Sequence, residues 1–561
     1  MDKTVLQTEN FTFDLNKGIS YFTQEGEEYC SLYARIKQVF IDSNTQVQSF
    51  SLEYINKVTK KLETQRVSYS KILPTGIMSL MEYGVDVTNK NRAELSNALI
   101  ASLDLAETIY INSSYGFDHF NGTQIFVSDR IHSSHSINES IQVSHDRYDL
   151  KPSGTMEEWL DMYESFIRGT PTLELAVVFG LASPLLAYLK QTNADINSLL
   201  IHLSGDSTTG KTTALSLAIS VAGSPNIGEK SLLRYWNGTL NSVMASLEGV
   251  HGIPVAFDEL STNAYSNLTS LVYSLTDGVG RARANVDGSL REVGRWSTVM
   301  LSSGELSIYN RLSQNIGLRV RVFDFENSQW TSSAEQAETI KNITSKNNGH
   351  ILPAFVDFLF SKDTQSITTQ YESQVSRLIA QMPESSTKQR VARKLAIILT
   401  AAELVNESEI LQVDTEAISE ILVSYENNHI SERNLGATAL DKLMQYLIVN
   451  KRSLTRYGHR TVGYLEGNTV CIYRDQLSSI LKKVGFEDSQ IIVNSWIKSN
   501  DIIQTEEDRK TTRKVIDGKR YISYKIRIPE AYVNEGLKEV VYDGAAINAE
   551  RIRSELTDIM D

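Results

Sequence analysis

The run Gly205-Asp206-Ser207-Thr208-Thr209-Gly210-Lys211-Thr212 assembles the residue types that a bound triphosphate needs, in the order it needs them. The two glycines let the backbone turn tightly and press its N–H groups against phosphate oxygens. Lys211 reaches the β and γ oxygens, and the Thr212 hydroxyl joins the shell of a Mg²⁺ ion. An apolar run, Ser198 to Leu203, precedes the loop and reads as a buried strand. Thr213 to Ala222 follows as a helix whose positive amino end adds to anion binding, until Gly223, Ser224 and Pro225 stop it. ATP and Mg²⁺ are therefore the expected cofactors, with Gly205 through Thr213 as their cradle.

Downstream, the apolar strand Ile253 to Phe257 ends in Asp258 and Glu259. Phosphoryl transfer needs carboxylates at the tip of a neighbouring parallel strand. Asp258 is expected to hold Mg²⁺ through water, and Glu259 to orient and deprotonate the attacking water. A third strand, Trp296 to Leu301, ends in Ser302, Ser303, Gly304 and Glu305. Ser303 is the first choice, and Ser302 the second, for a side chain that senses the γ-phosphate; the competing reading is two loop serines that cap local backbone. Gly317 to Asp324 then presents Arg319 and Arg321 on a strand or its edge. Arg321 is preferred as an arginine donated across a subunit boundary to stabilise charge on the transferred group, against the alternative of surface ion pairs.

Between the carboxylates and the sensor strand, Gly280 to Arg295 reads as a hairpin. Alternation sets Arg281 and Arg283 on one face of its first strand and Asp287-Gly288 at its tip, with Arg291 following. Such a cationic finger suits a phosphate backbone, although a solvated hairpin of this composition is stable without any ligand.

These groups need elements to hold them. Residues 1–150 mix alternating strand-like runs such as Gln124 to Val127 with polar turns such as Asn121-Gly122, carry no catalytic motif, and read as an accessory, collar-like α+β domain. Residues 151–428 hold the motifs, opened by helical spacing from Met156 to Leu189 and closed by a helical lid over Asp363 to Asn428, in which Arg390 to Leu404 carries an amphipathic stripe. Polar Glu426 to Asn434 reads as a linker. Residues 433–532 then offer helices at Ala437 to Val449, Asp475 to Val484 and Ser489 to Ser499, the first two joined by a loop. Strands Arg513 to Ile516 and Arg520 to Ile526 follow, joined by the turn Asp517-Gly518, and the whole suggests a winged helix. Arg509, Lys510, Arg513, Lys514, Lys519, Arg520, Lys525 and Arg527 crowd its wing, and Lys451, Arg452, Arg456 and Arg460 precede its second helix. A DNA-facing surface is one reading of that density; solubility decoration, or pairing with the acidic tail 533–561, is the other.

Bulk properties narrow the classes. A chain of 561 residues fits two to four domains. Its net charge of −13 means that whole-molecule attraction cannot hold nucleic acid, so any binding rests on local cations. The longest apolar stretch, Leu173 to Leu189, is interrupted by Glu174, Ser183 and Pro184, so no membrane span is expected. The polar, acidic amino terminus fits no targeting signal, and a cytoplasmic location is expected. Cys30 and Cys471 stand alone, against a disulfide framework or structural zinc.

Taken in order, the phosphate loop, Trp236-Asn237-Gly238-Thr239, Phe257-Asp258-Glu259, the hairpin before the sensor, Leu301 to Glu305 and the Arg321 strand resemble the MCM-like AAA+ helicases carried by mobile elements, in particular the Cch type of staphylococcal cassette chromosomes. The resemblance spans roughly Met156 to Leu404 and extends more weakly to the winged-helix-like end. It implies an α/β fold: an AAA+ P-loop ATPase core with an N-terminal α+β domain and a C-terminal winged-helix domain. It further implies a homo-hexameric ring that uses ATP to move along DNA, with the hairpin in the central channel. Lys211, Thr212, Asp258 and Glu259 match the family positions, and Arg281 and Arg283 match its basic hairpin. Arg390 and Arg393 open a helix resembling the one that bears a second arginine sensor, which makes Arg390 a nucleotide contact. The sensor position departs from many relatives in holding serine rather than asparagine or threonine. The expected function is an ATP-dependent, ring-shaped DNA helicase or translocase of a mobile element, with replication accessory proteins among its partners. A nucleotide-regulated switch or initiator that assembles on DNA without translocating is the second reading. A small-molecule kinase, the third, has no need for a winged helix.

Overall fold

The computed structural model describes residues 5–538 except 138–140, 146, 194–195, 263–267, 282–292, 313–315, 434, 455–460, 487–488, 505–510 and 517–518. At its centre is a parallel sheet of five strands: β1 (Leu199–Ser204), β2 (Leu233–Tyr235), β3 (Val255–Asp258), β4 (Val299–Gly304) and β5 (Val322–Glu326). In space they lie in the order β2-β3-β4-β1-β5. Leu200 stands opposite both Met300 and Val322, and Phe257 opposite Ser302. Every residue of β1 is buried, the pattern of a strand covered on both faces, and its continuous apolar run follows from that.

Helix α1 (Pro171–Thr192) packs along the sheet, with Pro at its first position, where the missing N–H costs nothing. It is long and apolar enough to cross a membrane by length and composition, yet 94% of its apolar window is buried inside the protein. The interruptions expected from Glu174, Ser183 and Pro184 do not break it: all three are buried in one continuous helix. Glu174 accepts the Gly169 and Asp414 amides, each at 2.6 Å, so the buried carboxylate is satisfied by backbone from two other segments. At Gly180 a Cβ would collide with the Ala218 carbonyl of α2 (Lys211–Ser220), which fixes how closely the two helices approach.

Other helices matter to the sites: α3 (Leu240–Leu247), α4 (Leu268–Asp277), α5 (Thr364–Gln381), α6 (Lys388–Glu407) and α7 (Thr415–Arg433). Helix α6 packs on α1 and α5. The linker expected at Glu426 to Asn434 is corrected: residues through Arg433 belong to α7, and residue 434 is outside the described set. This helix is anchored to β5 where Tyr425 packs on Phe325 at 4.9 Å and its hydroxyl accepts the Asp324 amide at 3.2 Å.

The N-terminal region divides by its packing. An antiparallel four-stranded sheet (residues 5–31) and most of a mixed five-stranded sheet enclose one core around Phe13, Phe50 and Leu99. Tyr115, Phe117 and Phe126 instead join the core of the central sheet, and Tyr115-Gly116 pairs in parallel with Val250-His251. A relay of hydrogen bonds ties the same region to the helix Ile351–Ser361: Ser128 Oγ to His132 Nε2 at 2.7 Å, then His132 Nδ1 to Asp357 Oδ1 at 2.6 Å. Ser128 and His132 are buried, so the relay reads as a structural tie.

The C-terminal unit has its own core, with Trp496 donating to the Gly436 carbonyl at 2.7 Å. It comprises α8 (Leu435–Val449), β6 (Gly463–Glu466), β7 (Thr469–Tyr473), α9 (Arg474–Lys483), α10 (Ser489–Lys498), β8 (Thr512–Ile516) and β9 (Lys519–Arg527). The sheet is antiparallel in the order β6-β7-β9-β8. The loop expected between the first two helices thus contains a hairpin, turning at Gly467 (φ 56°), with Val470 and Ile472 in the core.

Candidate nucleotide-binding site

The phosphate-loop residues sit between β1 and α2. Gly205 (φ 135°) and Gly210 (φ 86°) both take left-handed backbone, and Gly210 is the residue before the first turn of α2. A Cβ at Gly210 would strike Thr331 Oγ1, and one at Gly205 would lie 3.1 Å from Asn327 Cα. The segment after β5 therefore lines the loop, and Trp330 N donates to the Thr209 carbonyl at 2.8 Å. Among the described residues, the amides of Asp206, Ser207, Thr208 and Gly210 donate to nothing, leaving a nest of N–H groups at a helix amino end. Lys211 folds back over it, giving hydrogen bonds to the carbonyls of Gly205 (2.7 Å) and Asp206 (2.6 Å). Thr213, expected among the contacts, is buried with its hydroxyl unpartnered among the described residues.

The carboxylates arrive at the same end of the sheet because β3 runs parallel to β1, two strands away. Thr212 Oγ1 lies 3.4 Å from Asp258 Oδ1, so a hydroxyl and a carboxylate, both hard oxygen donors that suit Mg²⁺, converge on one point. Glu259 follows in left-handed backbone (φ 62°), a conformation costing a non-glycine residue about 1–3 kcal/mol and typical of functional positions. Ser303 holds this corner together: its hydroxyl donates to Asp258 Oδ1 and accepts the Glu259 amide at 3.0 Å. Ser302, one residue earlier, faces the other side. It pairs with His202 Nδ1 at 2.8 Å and accepts Trp236 Nε1 at 2.9 Å. Burial pushes His202 down to about 4, so the ring is neutral there. Alternation along β4 thus places Ser303, and not Ser302, at the carboxylates.

Asp324 on β5 was not singled out by its spacing. It accepts Ser204 Oγ and Ser307 Oγ, each at 2.7 Å, and Ile308 N at 2.9 Å, locking the end of β1 to the segment after β4. Burial raises it to about 7 in spite of those donors. Thr331, Trp330 and Asn327 were likewise missed, since nothing in a polar loop so far along the chain signals contact with residues 205–210.

Arg321 stands at the edge of a strand, as its spacing allowed, and Arg319 does not. Arg319 ends a helical turn (Ile316–Arg319) and Arg321 precedes β5, so neither lies on a strand. Arg319 is buried over the Tyr309 ring at 4.6 Å. Arg321 pairs with Asp277 at 3.1 Å and covers Tyr273. Because Arg321 enters β5 at its amino end, it lies about 20 Å of strand away from the phosphate loop at the carboxyl ends. Arg390 is not brought to the loop either. It shares with Arg321, Arg393 and Lys394 a chamber of about 450 Å³ bounded by Asn197, Tyr371 and Ile397.

Of the expected DNA contacts, Arg281 is exposed and donates to Ser270 Oγ at 2.9 Å, while Arg283 and Arg291 lie outside the described residues. The stem of that hairpin is present: Val279 bridges Arg295 in antiparallel fashion, and Gly280 N donates to Gly294 O at 2.9 Å. In the C-terminal sheet Arg513 is exposed on β8, Lys514 is opposite Tyr521, and Lys519 and Arg520 on β9 stand opposite Ile516 and Val515. Lys525 is committed to Glu466 at 2.7 Å and Arg527 to the Asn500 carbonyl at 3.0 Å. Arg456, Arg460, Arg509 and Lys510 lie outside the described residues.

With this geometry in place, comparison with known proteins adds lineage. The family described as a domain of unknown function, DUF927, matches residues 15–295, half of the chain. The chain belongs to the DUF927 family. The DUF927 match takes in the phosphate loop and the carboxylates and ends at Arg295, just before β4. A second family, described as the Cch helix turn helix domain, matches residues 434–531, the unit built from α8 to β9. Among solved structures, one titled "SCCmec type IV Cch - active helicase" is similar with a TM-score of 0.78 and 26% identity, covering 94% of this chain and 99% of that one. The expected likeness to Cch therefore holds over nearly the full length of both chains. Among curated proteins none matches.

Proposed function

We propose that this DUF927 chain is an ATP-driven DNA helicase or translocase of the AAA+ class, working as a ring, in the service of a mobile element. The observation that carries the reading is the meeting of four groups at the carboxyl ends of adjacent parallel strands: the Lys211 loop, the Thr212–Asp258 pair, Glu259 and Ser303. Support comes from the strand order, in which β1 sits between β4 and β5, the arrangement expected of such a core, and from the helicase named as a structural relative.

In this reading the free amides of Asp206, Ser207, Thr208 and Gly210 bind the phosphates, and Lys211 moves from the Gly205 and Asp206 carbonyls to phosphate oxygens. Thr212 and Asp258 hold Mg²⁺, which when bound neutralises charge on the phosphates. Glu259 accepts the proton of the attacking water, and Ser303 ties the position of that carboxylate to Asp258. Arg281 and the cations of the C-terminal winged helix serve DNA, and Arg321 serves a neighbouring subunit. A strand-displacement assay on a tailed duplex with Mg²⁺ and ATP tests the proposal. Separation of the strands is expected. ATP turnover without separation at any protein concentration would leave the switch reading in its place.

A further inference from the structure

A helix that reads a duplex lies in the major groove and needs cations for the flanking phosphates, which supply a large share of the affinity. Helix α10, the third of the C-terminal unit, is poorly equipped for that. It carries one cation, Lys498, at its last position, and its other exposed residues are Gln490, Ile491 and Asn494. Gln490 and Asn494 spend part of their polarity on each other at 3.1 Å. The inner side of α10 is committed to the fold through Trp496, which is buried and donates to the Gly436 carbonyl.

The antiparallel sheet beside it is built differently. Alternation sends Val470, Ile472, Tyr524 and Ile526 into the core. The opposite face therefore bears Tyr473, which stands opposite Ser523, and Tyr521, two residues before Ser523 on β9. Their rings stack with centroids 4.9 Å apart and planes 30° from parallel, and both are part-exposed. Cations surround the pair. Arg474 follows Tyr473 directly, and its 3.5 Å contact with exposed Asp475 is of the kind that contributes little. Arg513, on the edge strand β8, is exposed and has no ion pair among the described residues. Farther along β9 on the tyrosine face, Lys525 pairs with Glu466, while exposed Arg527 gives its Nε to the Asn500 carbonyl. On a chain of net charge −13 this is a local concentration of positive charge around two aromatic rings.

Such a combination suits an unpaired strand. Every base has a π face that can stack on an aromatic ring, and every nucleotide brings one phosphate. In a duplex the bases are stacked on one another, so the rings have nothing to receive. We propose that the tyrosine face of the C-terminal sheet is a site for single-stranded DNA, with bases stacked on Tyr473 and Tyr521 and phosphates met by Arg474, Arg527 and, at the edge, Arg513. That the strand is DNA rests on the proposed function; that it is unpaired rests on the rings and on the composition of α10.

The test is fluorescence anisotropy on the full-length chain without nucleotide, with three labelled probes of equal length: an oligothymidylate, the same backbone lacking bases, and a duplex. The oligothymidylate is expected to bind about tenfold more tightly than the abasic strand, the order of magnitude that stacking on an aromatic ring supplies. Tyr473→Leu and Tyr521→Leu in one chain should lose about tenfold on the oligothymidylate and under about twofold on the abasic strand, and the corresponding phenylalanine pair should bind as the parent does. Cross-linking of an iodouracil-substituted strand to the unmodified chain, read by mass spectrometry, should place adducts on Tyr473 or Tyr521, whether or not a variant folds. Equal affinity for strands with and without bases, equal losses on both in the leucine variant, or adducts confined to residues outside 463–527 would each overturn the inference. So would tighter binding of the duplex that is lost with Gln490→Ala and Lys498→Ala, since α10 would then be the reading helix. A parent that holds the strand through these tyrosines but hydrolyses no ATP would remove the motor and leave this site standing.

Discussion

The two ends of the central sheet spend their polar groups differently. At the carboxyl ends Lys211 rests on loop carbonyls, Thr212 lies near Asp258, and Ser303 stands between Asp258 and the Glu259 amide, while the buried Thr213 hydroxyl has no hydrogen-bond partner among the described residues. At the amino ends Arg321 and Lys394 share the Asp277 carboxylate, Arg390 lines the same chamber, and the amine of Lys394 is closed from solvent without a hydrogen-bond partner among the described residues. The first arrangement joins its lysine, hydroxyls and carboxylate by hydrogen bonds within one chain. The second gathers cations around a buried amine that burial and two guanidiniums push down to about 7. The lesson is that one sheet can carry polar groups that satisfy one another at one end and like charges crowded together at the other.

Four substitutions probe the contrast, beginning with the largest effect. Glu259→Gln keeps the shape of the carboxyl-end site and removes its base; turnover is expected to fall about 10²–10⁴-fold with nucleotide binding retained, as read by steady-state ATPase and fluorescent-nucleotide titration. Retention of full turnover would remove Glu259 from the chemistry.

Next, the two adjacent serines should separate cleanly. Ser303→Ala frees Asp258 and the Glu259 amide, and a drop of roughly tenfold in turnover with little change in melting temperature is expected, in line with the loss of about one hydrogen bond. Ser302→Ala strips a partner from His202 and from buried Trp236, so the larger loss falls on stability, about 1–3 kcal/mol by denaturant unfolding, with turnover nearly intact. The reverse outcome would mean that β4 presents the opposite face to the carboxylates.

The smallest effect concerns Asp324. Its carboxyl is raised to about 7 by burial, so between the unfolded value near 4 and that folded value the native chain holds the proton more tightly. Stability contributed by the protonated form is therefore present below about pH 4 and is lost as pH rises through 7. Asp324→Asn should flatten that part of the melting-temperature profile between pH 5 and 8. An unchanged slope would place the titration elsewhere.

Much of the candidate site was legible because the signature of a phosphate loop is written in contiguous residues. Gly205 to Thr212 needs no partner from elsewhere to be recognised, and an apolar strand ending in Asp258-Glu259 reads as such on its own. Groups recruited from a distance were not legible. Thr331 closes on Gly210, and Asp324 bonds Ser204, only because β5 lies beside β1. Arg319 was misplaced because Arg319 and Arg321 alternate as a strand would, whereas the chain makes a helical turn through Arg319 and leaves Arg321 at the edge of β5. Residues 426–433 read as a linker because their composition is polar, but the packing of Tyr425 on Phe325 carries α7 through them. The β6–β7 hairpin had a turn signal at Gly467-Asn468 that went unused.

The order of amino acids alone determined the turn at Gly205 to Gly210 and the start of the helix at Lys211, since loop conformation and helix start are set by residues a few positions apart. Only the tertiary structure decided at which end of the sheet each charged group would stand, and which would be left without a partner. Those outcomes depend on strand order and on burial, both of which arise from contacts between segments distant in the chain.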